Sequence, residues 1–129
     1  MRPSRLVLIA ALLVAAGCAP APVPVAVHGR VTYRGAPLRS GLIVFTPDDA
    51  RGHHGPPAQA AIGPDGRYVL HTGNTPGAAP GWYRVTVASL DTVAGEALPA
   101  RFRDPELSDL FAEVVAGQDN SVDLDLAPQ

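Results

Sequence analysis

The chain has 129 residues, of which 47% are hydrophobic and 17% are charged, and its formal net charge at pH 7 is −2. Twelve acids outnumber ten basic residues, all of them arginine, which argues against nucleic-acid binding because such proteins need a clustered basic face. Fourteen prolines and thirteen glycines predict many turns and few long helices.

The first eighteen residues have the order of a secretory signal. Arg2 and Arg5 precede an apolar run, and Ala15-Ala16-Gly17 leads into Cys18. The apolar run is shorter than the roughly 20 residues that a membrane-spanning helix needs, so it predicts a cleaved signal peptide over residues 1–17. The segment ending at Cys18 resembles the lipobox of bacterial lipoproteins. That resemblance implies that Cys18 is the lipid attachment site, carries diacylglycerol and becomes the new N-terminus.

Cys18 is the only cysteine, so it cannot form an internal disulfide, and an exported free thiol requires another explanation. The alternative is an ordinary cleaved signal with an unmodified cysteine, since Ala15 stands where a lipobox usually carries leucine. Lipidation, detectable with a palmitate analogue, explains the lone thiol better. By the same resemblance, Ala19 in place of aspartate favours the outer membrane in a cell with two membranes.

Cleavage before Cys18 would leave one domain with eight arginines and twelve acids, a formal charge of −4. Residues 18–24 alternate proline with small residues, which predicts an extended tether. The domain itself is predicted over residues 25–129.

Period-two alternation begins at Val25, where Val25, Val27, Gly29, Val31 and Tyr33 share one predicted face. Further strands are predicted at 42–46, 58–62, 67–71, 81–89, 110–115 and 121–126. Asp65-Gly66 predicts a hairpin turn, and Asp104-Pro105 predicts one helical turn. About seven short strands without an amphipathic helix predict an all-β, antiparallel, immunoglobulin-like β-sandwich.

Several segments together resemble carboxypeptidase regulatory-like domains. They are His28–Leu38, Gly41–Pro47, Gly63–Tyr68 and Pro80–Val87, in that order. The tail from Leu98 to Leu126 resembles a group of envelope lipoproteins common in planctomycete-like bacteria, with Phe102 in place of a tyrosine and Asp109 in place of a glycine. The resemblance implies a transthyretin-like, or prealbumin-like, sandwich with no known catalytic activity.

The sequence contains no motif that indicates catalysis. Tyr33-Arg34-Gly35 matches three letters of the terminal motif of hydroxyisourate hydrolases, but it lies at the first turn and Ala36 follows it, so hydrolase activity is not expected. The acids Asp123 and Asp125 are expected to be solvated by alternation alone. The remaining candidates are four histidines, which are expected to be solvent-exposed: His28, His53, His54 and His71.

Two classes of function therefore stay open. The first is a lipid-anchored, noncatalytic envelope module that binds a protein or a polysaccharide through the loops at 48–57 and 72–80. Trp82 and Tyr83 adjoin the second loop; Tyr83 is expected in the core, whereas Trp82 is expected on the wet face. The second class is a small exported enzyme or metal-binding protein that uses the four histidines, which would need three or four converging ligands. No cofactor is expected in the first class.

Overall fold

The computed structural model of the protein describes residues 22–93 and 95–127. Short strands are the main secondary structure of this region. In chain order they are β1 (Val27–Tyr33), β2 (Ala36–Pro37), β3 (Leu42–Pro47), β4 (Ala58–Ala61), β5 (Arg67–Val69), β6 (His71–Thr72), β7 (Thr75–Pro76), β8 (Gly81–Ala88), β9 (Thr92–Val93), β10 (Glu96–Ala97), β11 (Phe111–Val114), β12 (Asn120–Ser121) and β13 (Leu124–Leu126). Single 3-10 turns lie at Asp49–Arg51 and Ala100–Arg103.

Six strands form a large antiparallel sheet in the order β11-β8-β3-β4-β6-β7. The two longest, β3 and β8, pair over their whole common length, from Leu42 opposite Ala88 to Pro47 opposite Tyr83. Valines and aromatics alternate with polar residues along β8, so one face of this sheet is buried and the other is wet. The predicted inward residues Tyr83, Val85 and Val87 are all buried.

A smaller sheet is built around β1, which has β5 and β2 on one side and β12 and β13 on the other. The predicted inward residues Val27, Val31 and Tyr33 are buried. β12 and β13 both run parallel to β1. The predicted all-β sandwich of packed antiparallel sheets is thus confirmed, with this one parallel ladder as an addition.

The core lies between the two sheets and draws on both of them. Phe45 of β3 is at its centre, with ring centroids 6.3 Å from Tyr68 of the small sheet and 5.7 Å from Tyr83 of the large one. Tilted aromatic contacts of this kind add to the stabilisation from buried area. The aromatic contacts therefore join the small sheet to the large one.

The turn predicted at Asp65-Gly66 forms, and the predicted strands on its two sides, 58–62 and 67–71, pair with each other only at Gln59 and His71. Gly63 and Arg67 close the turn with an N–H···O bond of 2.8 Å, and only Gly66 takes a left-handed φ, of 81°. β5 then pairs with β1, and the chain crosses at buried Leu70 to the large sheet, where β6 pairs with β4. The predicted hairpin therefore forms at its turn and at the Gln59–His71 pair, while its middle part, β5, pairs with β1 of the small sheet instead of with β4.

Asp104 and Pro105 form the single hydrogen-bonded turn that their order predicts. The Asp104 carbonyl accepts from Ser108 N–H at 2.8 Å, and the Asp104 carboxylate accepts from Glu106 N–H at 2.8 Å. Ser108 is buried and donates its hydroxyl to the Val85 carbonyl at 2.7 Å, which fixes this turn against β8.

Candidate functional site

The start of the domain is fixed at one end of the sandwich. Val25 and Ala78 exchange two backbone hydrogen bonds of 2.9 and 3.0 Å, just before β1 begins. The loop 48–57, the segment 73–80 and the turn 115–119 lie at the same end, because they follow or precede strand ends paired there. We call this the tether end. Cys18, the signal peptide and residues 18–21 of the tether lie outside the described residues.

The loop 48–57 is anchored by a buried carboxylate. Asp48 is only 2% exposed, and it accepts from Ala50 N–H at 3.2 Å as the N-cap of the 3-10 turn. Its two oxygens also face arginines, with Arg84 Nε at 3.2 Å and Arg51 Nε at 3.5 Å. A buried charge needs such partners, so Asp48 holds both arginines in place.

These arginines lie against two aromatic rings on the wet face of the large sheet. The Arg51 guanidinium carbon is 4.4 Å from the ring centroid of Trp82 and 4.5 Å from that of Phe111. Arg84 lies 5.7 Å from Phe111, its cross-strand partner, and also contacts Glu106 at 3.2 Å. We call Arg51, Trp82, Arg84 and Phe111 the arginine–aromatic cluster.

The electrostatics of the cluster favour permanently charged, oriented guanidinium groups. The hydrogen bond that Arg84 Nε donates to Asp48, aided by the nearby Glu106 charge, raises the pKa of Arg84 above its ordinary value. Phe111 keeps 38% of its surface exposed. The cluster therefore presents fixed cations and an accessible aromatic ring, and it contains no nucleophile and base in contact.

The two aromatics named from the sequence have different environments. Tyr83 is buried, as expected, and donates its hydroxyl to the Ala79 carbonyl at 2.6 Å; burial raises the pKa of Tyr83. Trp82 lies on the wet face, also as expected, but it is half-buried and the Arg51 guanidinium lies over its ring. The sequence analysis missed Asp48, Arg51, Arg84 and Phe111, although an aspartate directly after a strand is a recognisable N-cap signal.

The four histidines do not share a site. His28 contacts Asp119 at 2.7 Å, His54 contacts Asp49 at 2.8 Å, and His71 contacts the Val69 carbonyl. Across residues 22–93 and 95–127, no three histidine, cysteine or acidic side chains are grouped so as to hold a metal ion. The use of the histidines in metal binding or catalysis stays a prediction.

His53 differs from the expectation of a solvent-exposed side chain. It is half-buried, and its ring meets Tyr83 edge-on with centroids 4.7 Å apart. The reason is Gly81: a Cβ atom there would lie 2.6 Å from His53 Nδ1, so only glycine leaves room for the ring. His53 thus packs the loop 48–57 onto the start of β8.

Asp123 and Asp125 are exposed, as alternation predicts, but both accept hydrogen bonds from β1. Asp123 Oδ1 accepts from Arg30 N–H at 2.9 Å, and Asp125 Oδ1 accepts from the Thr32 hydroxyl at 2.8 Å. Both carboxylates therefore reinforce the pairing of the last strand, β13, with β1.

Comparison with models of known families, with curated proteins and with solved structures finds no significant match. Within the described residues, no helix has both the length and the apolar character needed to cross a membrane. The function of this chain is therefore inferred from its residues and their geometry.

Proposed function

We propose that this chain is an exported, lipid-anchored, noncatalytic module of the cell envelope, and that the arginine–aromatic cluster binds its partner. The observation that carries the proposal is the placement of Arg51 against both Trp82 and Phe111 above buried Asp48. Arginine and large aromatics dominate the binding energy of protein interfaces, and preorganised side chains lose little entropy on binding. The proposal is of binding without catalysis, because the cluster itself contains no nucleophile in contact with a base.

A protein partner fits this surface better than a polysaccharide. Sugar recognition by stacking needs an open aromatic face, whereas one face of Trp82 is covered by the guanidinium of Arg51. The exposed ring edge of Phe111, flanked by Arg84 and Glu106, is suited to a side-chain pocket with a polar rim.

Attachment at Cys18 would constrain the orientation of the domain relative to the membrane. Six residues lie between Cys18 and Val25, and the seven steps from one Cα atom to the next span at most about 25 Å. The tether end, with the loops 48–57 and 73–80, would then face the membrane surface. The loops 48–57 and 72–80 were the expected partner-binding sites. The cluster extends from the first of them, through Arg51, onto the wet face of the large sheet, so its partner would lie beside the anchor.

The anchor is tested by metabolic labelling with a palmitate analogue. We expect the label on the wild-type chain and none on Cys18→Ser, which should be released from the membrane fraction. Two or more acyl chains are needed for stable anchoring, so the wild-type chain should resist extraction with salt. A processed wild-type chain that carries no label would overturn the anchoring.

The binding surface is tested by placing a photo-crosslinking residue at position 111 or, as a control, at exposed Val69 of the small sheet. We expect one discrete envelope crosslink from position 111 that disappears in Arg51→Ala and Trp82→Ala. Equal crosslinks from both positions, or a crosslink at 111 that persists in both variants, would contradict the proposal.

A further inference from the structure

A second surface, on the outer face of the small sheet, has features of a ligand site and is independent of the proposed partner surface. It is a groove of about 390 Å³, which is within the range of small-molecule sites. We call it the basic groove; its principal lining residues are His28, Arg30, Arg67, Val69, Ser121 and Asp123.

Two arginines lie side by side on neighbouring strands at this groove. Arg30 of β1 and Arg67 of β5 are Cα partners in the antiparallel ladder, and both are exposed. Side chains at such positions start roughly 5 Å apart, and like charges directly opposite each other destabilise a sheet. Strand alternation requires only that both side chains face solvent. It does not explain why two positive charges lie opposite each other.

Each acid near the groove already contacts one of the groove residues. Asp65 contacts Arg67 Nε at 3.4 Å, and Asp119 contacts His28. Asp123 uses Oδ1 to accept from the Arg30 backbone N–H. Among the described residues, the Arg30 guanidinium has no carboxylate within 4.0 Å, whereas the Arg67 guanidinium pairs with exposed Asp65.

The floor of the groove is rigid. β12 ends at Ser121 and β13 begins at Leu124, and the gap between them is closed by the Tyr68 hydroxyl, which donates to the Val122 carbonyl at 2.5 Å. Gly29 permits this contact, since a Cβ atom there would overlap the same carbonyl. These contacts fix the backbone of β1 and β5 from which the two arginine side chains project.

We infer that the basic groove binds a small oxyanion, a phosphate or carboxylate group carried on a compact organic ligand, between Arg30 and Arg67. A planar guanidinium donates two parallel hydrogen bonds to such a group, and an anion between two cations turns their repulsion into attraction. The volume beyond the anion, with Val69 and Ser121 on its walls, accommodates the rest of the ligand.

The test uses the full chain in a nonionic detergent, with inorganic phosphate, glucuronate and uncharged glucose as separate probes. Thermal unfolding and amide chemical shifts are followed for the wild type, Arg30→Gln, Arg67→Gln and the control Arg39→Gln, an exposed arginine that does not line the groove. Phosphate and glucuronate arms distinguish the two anion sources, and glucose tests whether charge is required.

We expect at least one anion to shift amides of β1 and β5 and to raise the Tm of the wild type and of Arg39→Gln. Arg30→Gln and Arg67→Gln should weaken binding about tenfold, as expected for one lost charge-assisted hydrogen bond, while their Tm without ligand stays equal or rises. Equal binding by all four proteins, equal shifts with glucose, or no shift with either anion would overturn the inference.

Discussion

The two sheets of this sandwich are specified in different ways. The large sheet rests on long antiparallel strands whose residues alternate regularly, as in the pairing of β3 with β8. The small sheet has one long strand, β1, and its other members are segments of two or three residues, two of them more than 90 positions away in sequence. Such distant pairing carries a larger loop-closure cost, so the small sheet depends on side chains that reinforce the ladder.

The largest difference between the sheets should appear on substitution of Gly29. A Cβ atom at this position would overlap the Val122 carbonyl and lie 2.9 Å from the Tyr68 hydroxyl. We expect Gly29→Ala to lower the free energy of unfolding by roughly 3 kcal/mol or more, because backbone must move. Urea denaturation measures this.

Gly63→Ala is the matched control. A Cβ atom there meets its neighbours only at 3.4 Å, an ordinary contact, so the change should stay within about 0.5 kcal/mol of wild type. Similar losses in the two variants would show that the close approach at Gly29 does not support the small sheet.

A smaller effect is expected for the carboxylate that organises the large sheet's wet face. Asp48→Ala removes an N-cap and the partner of Arg51 and Arg84, but both arginines still reach solvent. We expect a loss of about 2 kcal/mol in denaturant unfolding, and loss of the crosslink from position 111. Exposed Asp49→Ala, as control, should change stability by less than about 0.5 kcal/mol. If Asp48→Ala is as stable as the wild type and still gives the crosslink, the Asp48 carboxylate does not organise the arginine–aromatic cluster.

Local strand patterns could be predicted from the sequence in both sheets, whereas contacts between distant segments could not. Alternation correctly predicted the inward residues of β1 and β8, because each strand has one buried face. It did not predict the sheet switch at Leu70 or the parallel pairing of β13 with β1, because both depend on contacts between distant segments.

The candidate site was predictable only in part, for a related reason. Trp82 was assigned to the wet face from its own strand. Its contact with Arg51 depends on the path of the loop 48–57, which is set by Asp48 and by the packing of His53 beside Gly81. Neither contact has a local signature as regular as strand alternation, so the cluster emerged only from the three-dimensional structure.

Alkaline pH should weaken the small sheet. Burial, with the Asp123 charge adding, raises the pKa of Tyr68 above its ordinary value of 10, so the native state holds this proton more tightly than the unfolded chain. The associated stability is complete below pH 10 and is lost as the pH rises beyond it. Buried Tyr83, whose pKa is also raised, adds to the same trend.

Tyr68→Phe isolates this contribution. At neutral pH the variant should be about 1 kcal/mol less stable, because the Val122 carbonyl loses its hydrogen bond. Above about pH 10 its stability should fall less steeply than that of the wild type, since phenylalanine has no proton to lose. Unfolding free energies measured across this range would contradict the assignment if the two curves stayed parallel.

The smallest effect is expected at Asp123, where hydrogen bonding and charge can be separated. Asparagine keeps an oxygen that accepts from Arg30 N–H, so Asp123→Asn should change stability by less than about 0.5 kcal/mol, whereas Asp123→Ala should cost about 1 kcal/mol. Removing the negative charge should also bring the pKa of Tyr68 closer to its ordinary value and tighten anion binding in the basic groove. If Asp123→Asn instead loses as much stability as Asp123→Ala, the charge and not the hydrogen bond supports this ladder.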